Sequence, residues 1–382
     1  MSDFDVYKNS VYYNVINELL QLPADWKFVQ LDKTTYIKGR IGWQGLKASE
    51  FIDVGPFLIT GTDFFAGSVK WNNCYHISFE RYFEAPPIQI RNGDVLITKD
   101  GTIGKVAYIS DCPKYAILNS GIFVLRCKDE SYEQQYLFYV LNSIFFEKFI
   151  AVGLGGSTIN HLYQNVFEKF VFPIPSSLPE QRKIAHILST VDAVIEKTEA
   201  AIAKYEAIKK GMMVDLFTRG IDPATGKLRP RYEDAPELYK ETELGWVPKE
   251  WEVPRIGDIA VHVGSGVTPT GGSEVYKNEG ILFIRSQNVH FEGLYLNDVA
   301  FLSPATHENM QRSTVLPNDV LLNITGASIG RCCYFPAKLF EANVNQHVCI
   351  IRVEKSCESK AIYLSQVLSS YIGQVQISKL NA

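Results

Sequence analysis

The sequence predicts an α+β protein in which two similar mixed α/β domains stand in tandem, separated by one long helix of coiled-coil type. Two observations carry that expectation: a set of landmarks that occurs twice at nearly constant spacing, and between the two sets an apolar stripe stepping alternately by four and three residues. Leu22-Pro23-Ala24-Asp25-Trp26 matches Val247-Pro248-Lys249-Glu250-Trp251 at an offset of 225 residues. Gly93-Asp94-Val95-Leu96-Ile97 matches Asn318-Asp319-Val320-Leu321-Leu322 at the same offset, and Gly101-Thr102-Ile103-Gly104-Lys105 faces Gly326-Ala327-Ser328-Ile329-Gly330-Arg331. One insertion later, at offset 226, Asn119 and Arg126 pair with Asn345 and Arg352, and after one more Tyr136-Leu137 pairs with Tyr363-Leu364. The copies differ most at residues 39–85 against 264–310. A shared scaffold with divergent surface segments is expected of two versions of one recognition module.

Each copy mixes short β-branched and aromatic runs with one helix. Val95-Leu96-Ile97, Gly121–Leu125, Ile281–Ile284 and Val348–Ile351 read as strands, and Tyr132–Ala151 and Ser359–Gly373 as the helices. Between the copies, Ser177-Leu178-Pro179-Glu180 reads as a capping box, with Pro179 in the first turn where no N–H is needed. The apolar seam then runs through Ile184, Leu188, Val191, Ile195, Ile202, Tyr205, Ile208, Met212 and Leu216, interrupted at Thr198, and Gly220 is placed to end it. Some forty residues make a rod of roughly 60 Å that cannot bury its seam alone and needs a partner helix. Its near-balanced charges mark it as scaffold. The expected boundaries are a first domain over 1–176, the central helix over 177–220, a Pro-rich extended linker over 221–252 and a second domain over 253–382.

At 382 residues and 46 % hydrophobic content, the chain can bury more than one core. It has no apolar run of about eighteen residues, and its start, Met1-Ser2-Asp3-Phe4-Asp5, has no secretory pattern, so a soluble cytoplasmic chain is expected. Cys74, Cys112, Cys127, Cys332, Cys333, Cys349 and Cys357 form no CxxC pair, which argues for free thiols and against zinc. Trp26 and Trp251 read as core, and His186 as facing solvent or a neighbouring subunit.

These residues resemble the specificity subunit of type I restriction-modification systems. Leu178-Pro179-Glu180-Gln181-Arg182-Lys183-Ile184-Ala185-His186-Ile187-Leu188 looks like the start of that family's central conserved region, and Lys209–Gly220 like its end. The repeated Asp-Val-Leu strand, the Gly-x-x-Gly turn and the Pro-x-x-Trp opening are similar to the family's recognition domains. The resemblance implies two target-recognition domains, each reading half of a split duplex DNA site through the major groove, with helix length setting the unread spacer. It implies a non-catalytic chain without cofactors of its own. Two modification subunits would bind S-adenosylmethionine and methylate a flipped adenine, and restriction/translocase subunits would bind ATP and Mg.

The residues agree with a non-catalytic part. Ala85-Pro86-Pro87-Ile88 lacks both the polar first residue and the aromatic last residue of an adenine-methyltransferase motif, and Gly220–Leu228 has one residue too many for a phosphate loop, with Leu228 where Ser or Thr should stand. The net charge of −4 is unlike that of a chain binding duplex DNA by itself, so basic residues gather on one face or a partner brings positive charge. The second copy ends at Leu380-Asn381-Ala382, which aligns near Leu162, about 55 residues short of the first by the repeat alignment. Either the chain is a truncated protein or a fragment, or another chain supplies the partner helix, and the unpaired seam is a motive for self-association or for docking on the modification subunits. The alternative is an interaction protein that does not read a full site.

Base edges are read by Arg, Lys, Asn, Gln, Ser and Thr on loops or helix ends. In the first domain the candidates are Arg40, Trp43, Gln44 and Lys47 in the divergent early loop, then Lys99, Asp100, Thr102 and Lys105 around the glycine turn. In the second they are Thr268 and Thr270, then Arg285, Ser286, Gln287 and Asn288, then Thr325, Ser328 and Arg331, and finally Asn345, Gln346 and His347.

Overall fold

A computed structural model describes residues 22–40, 45–153, 161–271, 275–354 and 357–381. The chain divides into two compact units at Thr198, inside the central helix. In the first unit, a four-stranded antiparallel sheet has the spatial order Thr35–Gly39, Ile122–Cys127, Val95–Thr98, Val106–Tyr108. A three-stranded sheet places Ile52–Ile59 between Tyr75–His76 and Ala116–Leu118, the latter pairing parallel. Successive side chains of a strand point to opposite faces. Val95, Ile97, Phe123 and Leu125 therefore pack on the helices and the Phe-rich segment 167–172, while Leu96, Ile122 and Val124 pack on Leu58, Ile59 and Ile117 of the second sheet. Burial on both faces is why these strands read as unbroken apolar runs.

The second unit repeats this plan. Its first sheet runs Ala260–Ser265, Val348–Val353, Val320–Asn323, Cys332–Tyr334, and its second Ala300–Leu302, Ile281–Ile284, Ala342–Val344, Thr314–Val315. Leu321, Cys333 and Ile350 face the second sheet, whereas Val320, Cys332, Cys349 and Ile351 face Leu364 and Leu368. The offset survives where the sequences look least alike. Helix Phe79–Phe83, capped by Ser78, reappears as Pro304–Glu308, capped by Ser303, and the turn Gly61–Asp63 as Ser286–Asn288. Among the described residues of 39–85 and 264–310, these elements recur at the same offset with different side chains. The single helix expected in each copy is a pair, Gln134–Leu141 with Ile144–Gly153 and Glu358–Ser369 with Tyr371–Leu380.

The repeated Asp is a scaffold device. Asp94, 1 % exposed, accepts from Arg126 Nε and Nη2 at 2.7 and 2.6 Å and from the Arg91 amide at 2.9 Å. Asp319 takes Arg352 Nε and Nη2 at 2.8 and 2.7 Å and the Leu316 amide at 2.7 Å. The residue before each lies at positive φ, +88° for Gly93 and +70° for Asn318, which is why Gly and Asn stand there.

The central helix is continuous over Leu178–Thr218. Its start differs from a capping box: Glu180 accepts from Trp26 Nε1 at 3.2 Å instead of reaching back to its own first turn. Its end is as expected, with Gly220 at φ +64°. A Cβ on Gly220 would lie 2.2 Å from Trp251 Cζ2. Trp26 and Trp251 are thus half-buried braces at the two helix ends rather than core residues. The expected extended linker is ordered. Ile221 bridges Leu228, and Tyr239–Thr242 pairs with Gly245–Pro248 in a hairpin. Buried Arg229 donates to the carbonyls of Arg219 and Ile221 and pairs with Glu250 at 2.5 Å.

Candidate nucleic-acid interface

In the second unit three connections meet beyond the ends of neighbouring strands: the turn after Ile281–Ile284, the glycine turn after Val320–Asn323, and the turn joining Ala342–Val344 to Val348–Val353. Backbone bonds lock them together, Asn345 N to Ile284 O at 3.2 Å and Ile324 N to His347 O at 3.0 Å. The buried Asn323 side chain donates to Ser286 O at 2.8 Å and Ser328 Oγ at 3.1 Å, fixing the floor. On this floor Thr268 bonds Gln346, Gln346 contacts His347 at 3.2 Å, and His347 bonds Thr325. Four of the candidate residues therefore form one hydrogen-bonded row, with Thr268, Thr325 and Gln346 exposed.

Its neighbours divide by burial. Arg285 donates to Asp298 O at 2.8 Å and lies over the Tyr276 ring, and Gln287 donates to Asp298 Oδ2 at 2.6 Å, so Asp298, which the sequence did not single out, sets both side chains. Asn288 and Asn345, expected among the readers, are buried. Asn288 binds the carbonyls of Tyr295 and Asp298 and accepts from the Arg285 amide at 3.0 Å, and Asn345 accepts from the His347 amide at 3.2 Å. Both shape turns. Thr270 is exposed and Arg331 half-buried.

The first unit builds the same floor from different residues. Asn119 N donates to Ile59 O at 2.9 Å and Lys99 N to Gly121 O at 2.8 Å, while buried Thr98 accepts from the Lys105 amide at 3.0 Å. Lys99 Nζ lies 4.8 Å from the Phe123 ring centroid, and Asp100 pairs with His161. Lys47, Thr102 and Lys105 are exposed, and Trp43 and Gln44 lie outside the described residues. Arg40 departs from expectation. It is 4 % exposed, its Nε donates to Leu118 O at 2.9 Å, and burial, with Arg81 nearby, brings its pKa down to about 10. Such a guanidinium ties down a strand and has no route to a base edge. Among the described residues no group of acidic, His and Cys side chains is arranged to hold a metal ion. Both surfaces offer hydrogen-bond donors and acceptors on short, braced side chains, which suits recognition.

Residues 23–206 match the family model described as the Type I restriction modification DNA specificity domain. The chain is 28 % identical over 316 residues to the type I restriction enzyme MjaVIII specificity subunit of Methanocaldococcus jannaschii, covering 81 % of this chain and 66 % of that protein. It is 25 % identical over 325 residues to the type I restriction enzyme EcoBI specificity subunit of Escherichia coli, covering 83 % and 63 %. The chain thus carries a type I specificity domain over residues 23–206 and is similar to type I specificity subunits over most of its length. It spans about two thirds of the length of these relatives. The crystal structure of the type I restriction-modification S subunit from M. genitalium shares the fold, with a TM-score of 0.53 and 14 % identity over 95 % of this chain and 82 % of that one.

The specificity-subunit motif that opens the central helix has a physical reason here. Gln181 is wholly buried. Its Oε1 accepts from the Glu133 amide at 2.9 Å, at the start of Gln134–Leu141, and its Nε2 donates to Pro175 O at 2.8 Å. Arg182 pairs with Glu133 at 2.7 Å, and Ala185 is buried against the core. The motif fastens the helix to the first unit. A Gln in the first turn of an otherwise amphipathic helix was the available signal. Beyond this docking the seam is bare: Val191, Ile195, Ile202, Tyr205, Ile208 and Met212 are exposed.

Proposed function

We propose that this specificity subunit reads a bipartite duplex DNA target, one half with each unit, and positions two adenine-methylating modification subunits and the restriction/translocase subunits around it. The observation that carries the reading is the braced polar face built twice, at equivalent strand ends, from non-identical side chains. A duplicated floor with exchanged side chains suits two readers of two different half-sites. The chain acts without catalysis or a cofactor of its own. S-adenosylmethionine belongs to the modification subunits, and ATP and Mg to the restriction subunits. The exposed seam supports a partner helix from a second copy or an associated subunit, because an apolar stripe of this length is costly to leave in water. The test is co-expression with its modification subunit, followed by mapping of methylated adenines across the host genome. A split, asymmetric motif is expected. A symmetric motif would mean that one unit is used twice, and absence of methylation from a stable complex would refute DNA reading by this chain.

A further inference from the structure

The matched backbone bonds of the two units assign a reader that the sequence did not mark. The Arg285 amide donates to Asn288 Oδ1 at 3.0 Å in the second unit, and the Thr60 amide donates to Asp63 Oδ2 at 2.7 Å in the first. Asn345 N to Ile284 O corresponds to Asn119 N to Ile59 O, and Gly330 N to Asn323 O at 2.9 Å corresponds to Gly104 N to Thr98 O at 3.0 Å. By this register the place of Gln287 is taken by Thr62, exposed at the rim of the first unit's polar face.

Thr62 is one end of a hydrogen-bond chain whose direction is set from below. Asp63 is 3 % exposed and accepts the Thr60 hydroxyl at 2.9 Å as well as the Thr60 amide. A hydroxyl has one proton, and with Thr60 donating it to Asp63 Oδ2 that proton is committed to Asp63. The 2.7 Å contact between the Thr60 and Thr62 hydroxyls then takes its proton from Thr62. The outward side of the Thr62 oxygen is left with lone pairs and no proton. An acceptor-only group in the major groove is complementary to an exocyclic amino group, adenine N6 or cytosine N4, and is repelled by the acceptor oxygens of guanine O6 and thymine O4.

We infer that Thr62 is a specificity-determining residue of the first unit, reading an amino-bearing base, adenine or cytosine, with its polarity held by the Thr60–Asp63 relay. This inference rests on the DNA-reading function proposed above. Its probe is a randomised duplex DNA library selected on the full chain in complex with its modification subunit, with bound sequences counted for wild type, Thr62→Ala and Thr60→Val. Wild type should enrich two blocks, one containing a position restricted to adenine or cytosine. Thr62→Ala should flatten that position by about tenfold, the scale of one good base contact, and leave the other block intact. Thr60→Val frees the Thr62 proton and should admit guanine and thymine at the same position, an effect that a merely structural threonine would not produce. Two enriched blocks unchanged by Thr62→Ala would overturn the inference while leaving DNA reading standing, as would an equal weakening of both blocks. No enrichment by the stable wild-type complex would remove the functional reading and this inference together.

Discussion

Removal of the buried carboxylate from one unit at a time tests whether the duplicated Asp–Arg pair holds each scaffold separately. Asp94→Ala deletes a side chain that is 2 % exposed and strands the Arg126 guanidinium, itself 15 % exposed. Two charge-assisted bonds of 2.7 and 2.6 Å disappear, and the Arg91 amide loses its acceptor, while Arg126 Nη2 keeps its bond to Gln89 O at 2.6 Å. Breaking a buried pair by deleting one member costs about 3–5 kcal/mol, because a charge is left uncompensated. At about 1.4 kcal/mol per tenfold, amide exchange in Val95–Thr98 and Ile122–Cys127 should accelerate about a hundredfold to a few thousandfold. Val320–Asn323 and Val348–Val353 should stay protected. Asp319→Ala should give the mirror result. Hydrogen exchange read by peptide mass spectrometry reports both units in one sample. Acceleration below about fivefold, or equal acceleration in both units, would refute the reasoning.

Gly220→Ala should destabilise the second unit by about 2 kcal/mol or more, since it combines a left-handed backbone at φ +64° with a Cβ set against Trp251. Denaturant unfolding followed by tryptophan fluorescence would measure it. Iodoacetamide at pH 8 should label Cys357 first, because the Ser359 hydroxyl and the Lys360 amide lower its pKa, and should spare Cys332 and Cys333, whose thiols burial pushes up to about 12. Peptide mapping against time would show the order. Ile202→Glu, at a position 54 % exposed in the seam, should abolish association through the central helix without altering the unfolding of either unit, and sedimentation velocity would detect it.

The sequence by itself determined the duplicated α+β plan, the long helix and its glycine stop. These rest on local signals, the short β-branched and aromatic runs of the strands, the seam spacing and residues tolerant of positive φ, that need no knowledge of what packs where. It also determined which turns carry polar side chains, and four of those residues, Thr268, Thr325, Gln346 and His347, form one row. Tertiary structure decided which polar residues stay outside. Arg40, Asn288 and Asn345 have the chemistry of readers, yet each is consumed by carbonyls or amides from segments far away or across a turn, which composition cannot reveal. It likewise decided that Glu180 serves Trp26, that Gln181 joins three segments across the start of the helix, and that the proline-rich stretch folds into a hairpin. A hydrogen-bond partner is chosen by proximity in space, and proximity between residues dozens of positions apart is set only when the sheets and helices pack.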